Sequence, residues 1–256
     1  MQGRPRRAAV RTTALVLVAV VAACSGGGGD DPSSGTATSP STTPTTAEST
    51  TTTAALVGKP LVVAEQGVSS FPDLADPQST LGGYGVVILN PDPKLMATGV
   101  RVVTRILDPA GGELLVDRTL LNGILPGQKM AVGRTLIEPI EEPTSLDVKL
   151  EVTAWLPPAS TTGKLVAEEV VTEPEEGGGA VTRFKVRSTW PELENGVDVT
   201  ALYRAADGRI LSAETTSLDV AVGDPTPGQV RLLSPIPDLA KTDVLVGRGF
   251  AALTAG

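Results

Sequence analysis

Two short runs restrict the fold of this chain more than anything else in it. In Gly99–Asp108, GVRVVTRILD, the residues Val100, Val102, Thr104 and Ile106 share one side of an extended backbone. In Val181–Thr189, VTRFKVRST, the set Val181, Arg183, Lys185 and Arg187 alternates with Thr182, Phe184, Val186 and Ser188. Successive side chains of a strand point to opposite faces, so this period of two suits a half-buried strand and not a helix. Turn-forming Gly, Pro, Asn and Asp recur roughly every eight to twelve residues from Gly58 onward, the spacing of a β-sandwich or barrel. Aromatic residues are only 3% of the chain, so a core must be built from Val, Leu, Ile and Ala. The β-branched members of that set favour pleated surfaces.

The same texture occurs twice. GKPLVVAE at Gly58 corresponds to GKLVAEE at Gly163, and GVRVVTRILDPAGGELL at Gly99 to GVDVTALYRAADGRILS at Gly196. Each of the longer runs reads as a strand, a Gly-containing turn and a second strand, which is a hairpin. LPGQ at Leu125 corresponds to TPGQ at Thr226, and both are expected to be type II turns, with Pro presetting φ and Gly supplying positive φ. TSLDVKLEV at Thr144 and KTDVLVGRG at Lys241 are the closing strands. The fold expected is all-β, with two tandem Ig-like antiparallel sandwiches at residues 57–158 and 159–256.

On these residues, ILDPAGGEL and LYRAADGRIL with PGQ downstream and VVILNP at Val86, the chain resembles the small Ig-like modules of bacterial envelope proteins, the FxLYD family among them. The family's Leu-Tyr-Asp triplet falls at Ile106-Leu107-Asp108 in one copy and Leu202-Tyr203-Arg204 in the other, and neither copy carries it in full. The resemblance implies a fold and a location, and no activity.

The first residues differ in kind. Arg4, Arg6, Arg7 and Arg11 precede the apolar run Ala14–Ala23, ALVLVAVVAA, which is shorter than the about 20 residues a spanning helix needs. A basic head, a short apolar stretch and small residues make a secretory signal peptide, residues 1–23. Val21-Ala22-Ala23-Cys24 resembles the bacterial lipobox. That resemblance implies cleavage before Cys24 and a diacylglycerol on its thiol, with the protein held on the extracytoplasmic face of the cell membrane. Each buried acyl CH₂ contributes about 0.8 kcal/mol, so several chains on one residue anchor firmly. Residues 24–56, rich in Gly, Ser, Thr and Pro, are expected to be a disordered linker, and their composition also suits O-glycosylation.

Composition bears on chemistry. Formal net charge is −8, and removing the leader leaves 17 basic against 29 acidic residues, or −12. Such a body is repelled by nucleic acid. There is no histidine and one cysteine, so a Ser-His-Asp triad, an intramolecular disulfide and a thiolate zinc site are excluded. The carboxylate clusters Glu138, Glu141 and Glu142, and Glu168, Glu169, Glu173, Glu175 and Glu176, have the chemistry of an acid–base pair for sugar hydrolysis. The aromatic platforms a sugar site needs are scarce, however, and EVVTEPEEGGG from Glu169 reads as a solvated loop. Asp108 with Glu113, or Asp207, has the oxygen chemistry of a calcium ligand, but Asp at a hairpin turn ordinarily caps the local backbone. Trp155 and Trp190 read as core residues. No catalytic, cofactor or metal residues are assigned, and Cys24 is the one modification site. The function expected is non-enzymatic: a binding or scaffolding module that contacts another envelope protein. A carrier component of an envelope transport system is the alternative.

Overall fold

The computed structural model describes residues 55–248, apart from 74, 75, 77, 137, 138, 159–162, 177, 235 and 237. The leader, Cys24 and the linker as far as residue 54 lie outside the described residues, as does Glu138. The described residues contain strands and no helix. In the first half the strands are β1 (Val62–Pro72), β2 (Thr80–Leu89), β3 (Met96–Leu107), β4 (Glu113–Ile124), β5 (Lys129–Leu136) and β6 (Ser145–Leu156). In the second they are β7 (Leu165–Pro174), β8 (Ala180–Ser188), β9 (Glu194–Arg204), β10 (Ile210–Val220), β11 (Thr226–Leu232) and β12 (Lys241–Gly247).

The strands form four antiparallel sheets, β1-β2-β5 and β4-β3-β6 in the first half, β11-β8-β7 and β10-β9-β12 in the second. Strand for strand the two topologies are identical, so the internal repeat holds at the level of the fold. Gly99 and Gly196, matched in sequence, even share a left-handed φ of +57° and +61° at the same point of β3 and β9. Each half is a sandwich around its own core. Tyr84, Val86 and Ile88 of β2 meet Val100, Val102 and Ile106 of β3. Phe184 and Val186 of β8 meet Val197, Val199 and Tyr203 of β9. All four inward residues expected on β3, including Thr104, are buried.

A third apolar layer joins the halves. The outward side of β2 and β5 carries Val87 and Ala131, which pack on Leu202, Ile210 and Ala213 of β9 and β10. Two glycines let these sheets come close. A Cβ on Gly85 would lie 2.8 Å from Ile210 Cγ2, and one on Gly67 would lie 2.4 Å from the Ile210 carbonyl oxygen. The order of layers is therefore β4-β3-β6, β1-β2-β5, β10-β9-β12, β11-β8-β7, and β2 is buried on both faces.

Two expectations are corrected. TPGQ is not a turn: Thr226–Gln229 begins β11, with Pro227 opposite Lys185. β11 is an end strand, where a residue without an N–H costs no ladder bond on the open side. Gly228 is there for space, since a Cβ would come 2.5 Å from the Phe184 ring. The stretch from Glu169 is not wholly a loop either, because β7 continues to Pro174. The carboxylates of β7 pair with the basic row of β8, Glu168 with Arg187 at 2.8 Å, Glu169 with Lys185 at 2.6 Å, and Glu173 with Arg183. Cross-strand pairing of opposite charges stabilises a strand that composition alone reads as polar.

Candidate binding cleft

LPGQ forms the expected turn. Gly127 has φ +68°, and Gln128 N donates to Leu125 O at 3.0 Å. The buried Asn90 holds this turn in place. Asn90 N donates to Gln128 O, Gly127 N donates to Asn90 O, both at 3.0 Å, and Asn90 Nδ2 donates to Leu95 O and Ile124 O at 2.9 Å. Gln128 is then set by its own turn, its Oε1 accepting from Leu125 N at 2.8 Å. Its Nε2 crosses to the other half and donates to Val246 O of β12 at 3.2 Å.

Across from the turn sits Trp190, 4% exposed. Its N–H in the backbone donates to Ser188 Oγ at 3.1 Å. Gly163 lies flat on its ring, where a Cβ would approach Cδ2 to 2.1 Å. The Arg248 guanidinium stacks on the indole at 4.1 Å from the ring centre. Arg248 also donates from Nε and Nη2 to the two oxygens of Glu194, at 2.7 and 3.0 Å. The pair is nearly closed to water, with side-chain exposure of 2% for Glu194 and 12% for Arg248.

Between the LPGQ turn, the start of β7 and the edge of β12 lies an open cleft of about 650 Å³. Pro93, Leu125, Pro126, Leu165, Val166 and Leu245 supply much of its apolar wall. The ionisable side chains on its wall are Lys129, Lys164 and Arg248, and no carboxylate lines it among the described residues. Lys129 also faces Glu65 at 3.7 Å.

Other charged groups fasten the halves together. Arg204 of β9 reaches Glu65 of β1 at 2.8 Å and Asp243 of β12 at 2.7 Å. Burial raises the Asp243 pKa, but hydrogen bonds from Lys241 and Arg204 outweigh it and hold the carboxyl below its ordinary value. Glu214 of β10 accepts from Thr135 N of β5 at 3.0 Å. There burial dominates the hydrogen bonds and pushes the carboxyl up. Burial likewise pushes the Tyr203 phenol up to about 12.

The residues considered for calcium do local work. Asp108 Oδ1 accepts from Ala110 N and Gly112 N at 2.8 and 2.7 Å, while Glu113 faces Arg105 at 3.5 Å. Asp207 Oδ1 accepts from Arg209 N at 2.9 Å. Trp155 is partly buried against the first core. The cleft itself was not visible in sequence. Glu194 and Arg248 are 54 positions apart, and Gln128 differs from its repeat partner Gln229 only once both are folded.

No protein-family model matches the chain, and no curated relative matches it. Among solved structures it is similar to the exo-chitosanase CsxA of Amycolatopsis orientalis, with a TM-score of 0.25 and 10% identity over 71% of this chain and 25% of that one. A substituted form of the same enzyme, in complex with PNP-beta-D-glucosamine, gives a TM-score of 0.23 and 11% identity over 63% and 23%. The chain thus spans about a quarter of the length of those proteins.

Proposed function

We propose that this chain is a lipid-anchored protein of the extracytoplasmic face of a bacterial cell membrane, and that its two-sandwich body is a non-enzymatic binding or scaffolding module for another envelope protein. The lipobox residues Val21–Cys24 support the anchor. The observation that carries the binding reading is the cleft beside Trp190. It is a concave apolar surface with basic residues in an acidic body, framed by two end strands and held by a buried ion pair. Sandwich edges and end loops are the usual contact surfaces of such folds.

The anchor is tested by Cys24→Ala followed by membrane fractionation. The variant should be released from the membrane or remain unprocessed. Normal cleavage with normal membrane retention would sink the anchor. The scaffold is tested by crosslinking in cells and affinity capture with the wild-type chain. A specific protein partner is the expected result, whereas a co-purifying small molecule would favour a carrier.

A further inference from the structure

We propose that the cleft takes an extended, acidic polypeptide segment, which adds as a strand to the free edge of β7 while its carboxylates meet Lys129 and Lys164. This rests on the binding reading above and names the partner chemistry.

Charge is the first argument. Residues outside the cleft make the body strongly acidic, yet among the described residues the charged groups on the cleft wall are three cations. Arg248 is neutralised by Glu194, which leaves Lys129 and Lys164 to face a ligand. Both are exposed, and Lys129 meets Glu65 only at 3.7 Å. A complementary potential raises the encounter rate and selects an anionic partner.

Backbone is the second argument. β7 has one neighbour, β8, so its other row of N–H and C=O groups is not used by the sheet. At Leu165–Ala167 that row borders the cleft, and Val166 stands 51% exposed beside it. β12 is also an end strand, but Gln128 already covers its Val246 carbonyl. The protected edge and the open edge lie side by side, and the open one belongs to β7. An added strand would find main-chain partners there and apolar wall for alternate side chains.

The third argument separates a peptide from an acidic polysaccharide. A sugar needs an exposed ring to stack on, and Trp190 is 4% exposed beneath Arg248. The remaining wall is aliphatic and proline-rich, which suits Val or Leu side chains.

The test uses the full chain, kept in detergent micelles, and three probes. These are a blocked heptapeptide of alternating Glu and Val, its Lys and Val counterpart, and inorganic polyphosphate. Calorimetry should give the acidic peptide at least a tenfold tighter Kd than the basic one, weakening with salt. Amide exchange at Leu165–Ala167 should slow on binding. Lys129→Gln with Lys164→Glu changes two exposed side chains and should weaken the acidic peptide about tenfold while the circular dichroism spectrum stays the same. Equal affinity for the two peptides, or an unchanged Kd in the double variant, would overturn the assignment. So would tight polyphosphate binding without protection of β7. The scaffold reading fails separately: if the wild-type chain captures no crosslinked partner, that reading falls. If both wild type and double variant capture the same partner, only the cleft is wrong.

Discussion

Replacing Arg248 by Met would leave the Glu194 carboxylate, 2% exposed, without its cation. Met keeps an apolar stem against the Trp190 ring and removes the two charged hydrogen bonds at 2.7 and 3.0 Å. Taking one partner from a buried pair costs about 3–5 kcal/mol, because the other charge stays desolvated. Loss of the stacking on Trp190 adds about 0.5–2 kcal/mol where the cation is shielded from water. Urea unfolding followed by tryptophan emission would read this directly. With an m-value of about 2 kcal/mol/M for a body this size, the midpoint should fall by about 1.8–3.5 M. Glu194→Leu with Arg248→Met should recover most of that loss, since an apolar pair of similar volume can replace a buried ion pair at little cost. A midpoint shift under about 0.5 M for Arg248→Met would place the pair with ordinary surface contacts, worth about 0–1 kcal/mol, and refute the reasoning.

Glu214→Gln should raise the melting temperature at pH 7. Burial holds the folded carboxyl above its unfolded value, so the charged form is penalised at high pH and the penalty lifts as pH falls through the folded pKa. The advantage of Gln should therefore shrink between pH 7 and pH 4, and an advantage that grows on acidification would contradict the sign. Gly67→Ala forces a Cβ to within 2.4 Å of the Ile210 carbonyl and should cost about 1–3 kcal/mol by thermal unfolding, because backbone cannot yield as a flexible side chain does. Gln128→Ala removes one bridge between the halves, the Val246 contact, together with the cap on Leu125 N. Its cost should be about 1–2 kcal/mol in the same measurement. Intact mass of the native protein should exceed that of the lipidated chain by hexose increments if the Ser/Thr/Pro linker is O-glycosylated, and a match to the unglycosylated mass removes that idea.

Strands and their inner faces were legible because alternation is a local signal. Val100, Val102, Thr104 and Ile106 turned inward as the pattern requires, and the repeat survived because matched runs carry matched turns, as at Gly99 and Gly196. TPGQ misled because the same four residues serve two purposes. In LPGQ the glycine needs positive φ; in TPGQ it needs room under Phe184, and only packing distinguishes these. The EVVTEP segment misled because composition scores Glu as solvent-seeking, while its register against Arg183, Lys185 and Arg187 makes a charge ladder of it. The cleft had no sequence signal at all. It is made by loops and strand ends from both halves, and their meeting depends on which sheet of one sandwich docks on which sheet of the other.

That docking is unlike on its two sides. The first sandwich presents its β1-β2-β5 sheet, but the second presents β10-β9-β12, the counterpart of the first sandwich's other sheet. A head-to-tail contact of this kind does not close on itself, so the same two faces recur at the ends of the stack and could in principle continue it. The outer residues argue against continuation. Where β2 offers Gly83, Gly85 and Val87 to its neighbour, β8 offers Arg183, Lys185 and Arg187 to solvent. Where β9 offers Thr200 and Leu202, the matched positions of β3 are Val103 and Arg105, with Arg101 one turn of the pleat before. Each outer row is tied to carboxylates of its flanking strands, Arg101 to Glu151 at 3.4 Å and Arg187 to Glu168 at 2.8 Å. Burying such rows against a third sandwich would desolvate every pair for no apolar gain. Charged end faces oppose the addition of a third sandwich, and the cleft at the seam between the halves is a concave, apolar and cationic surface.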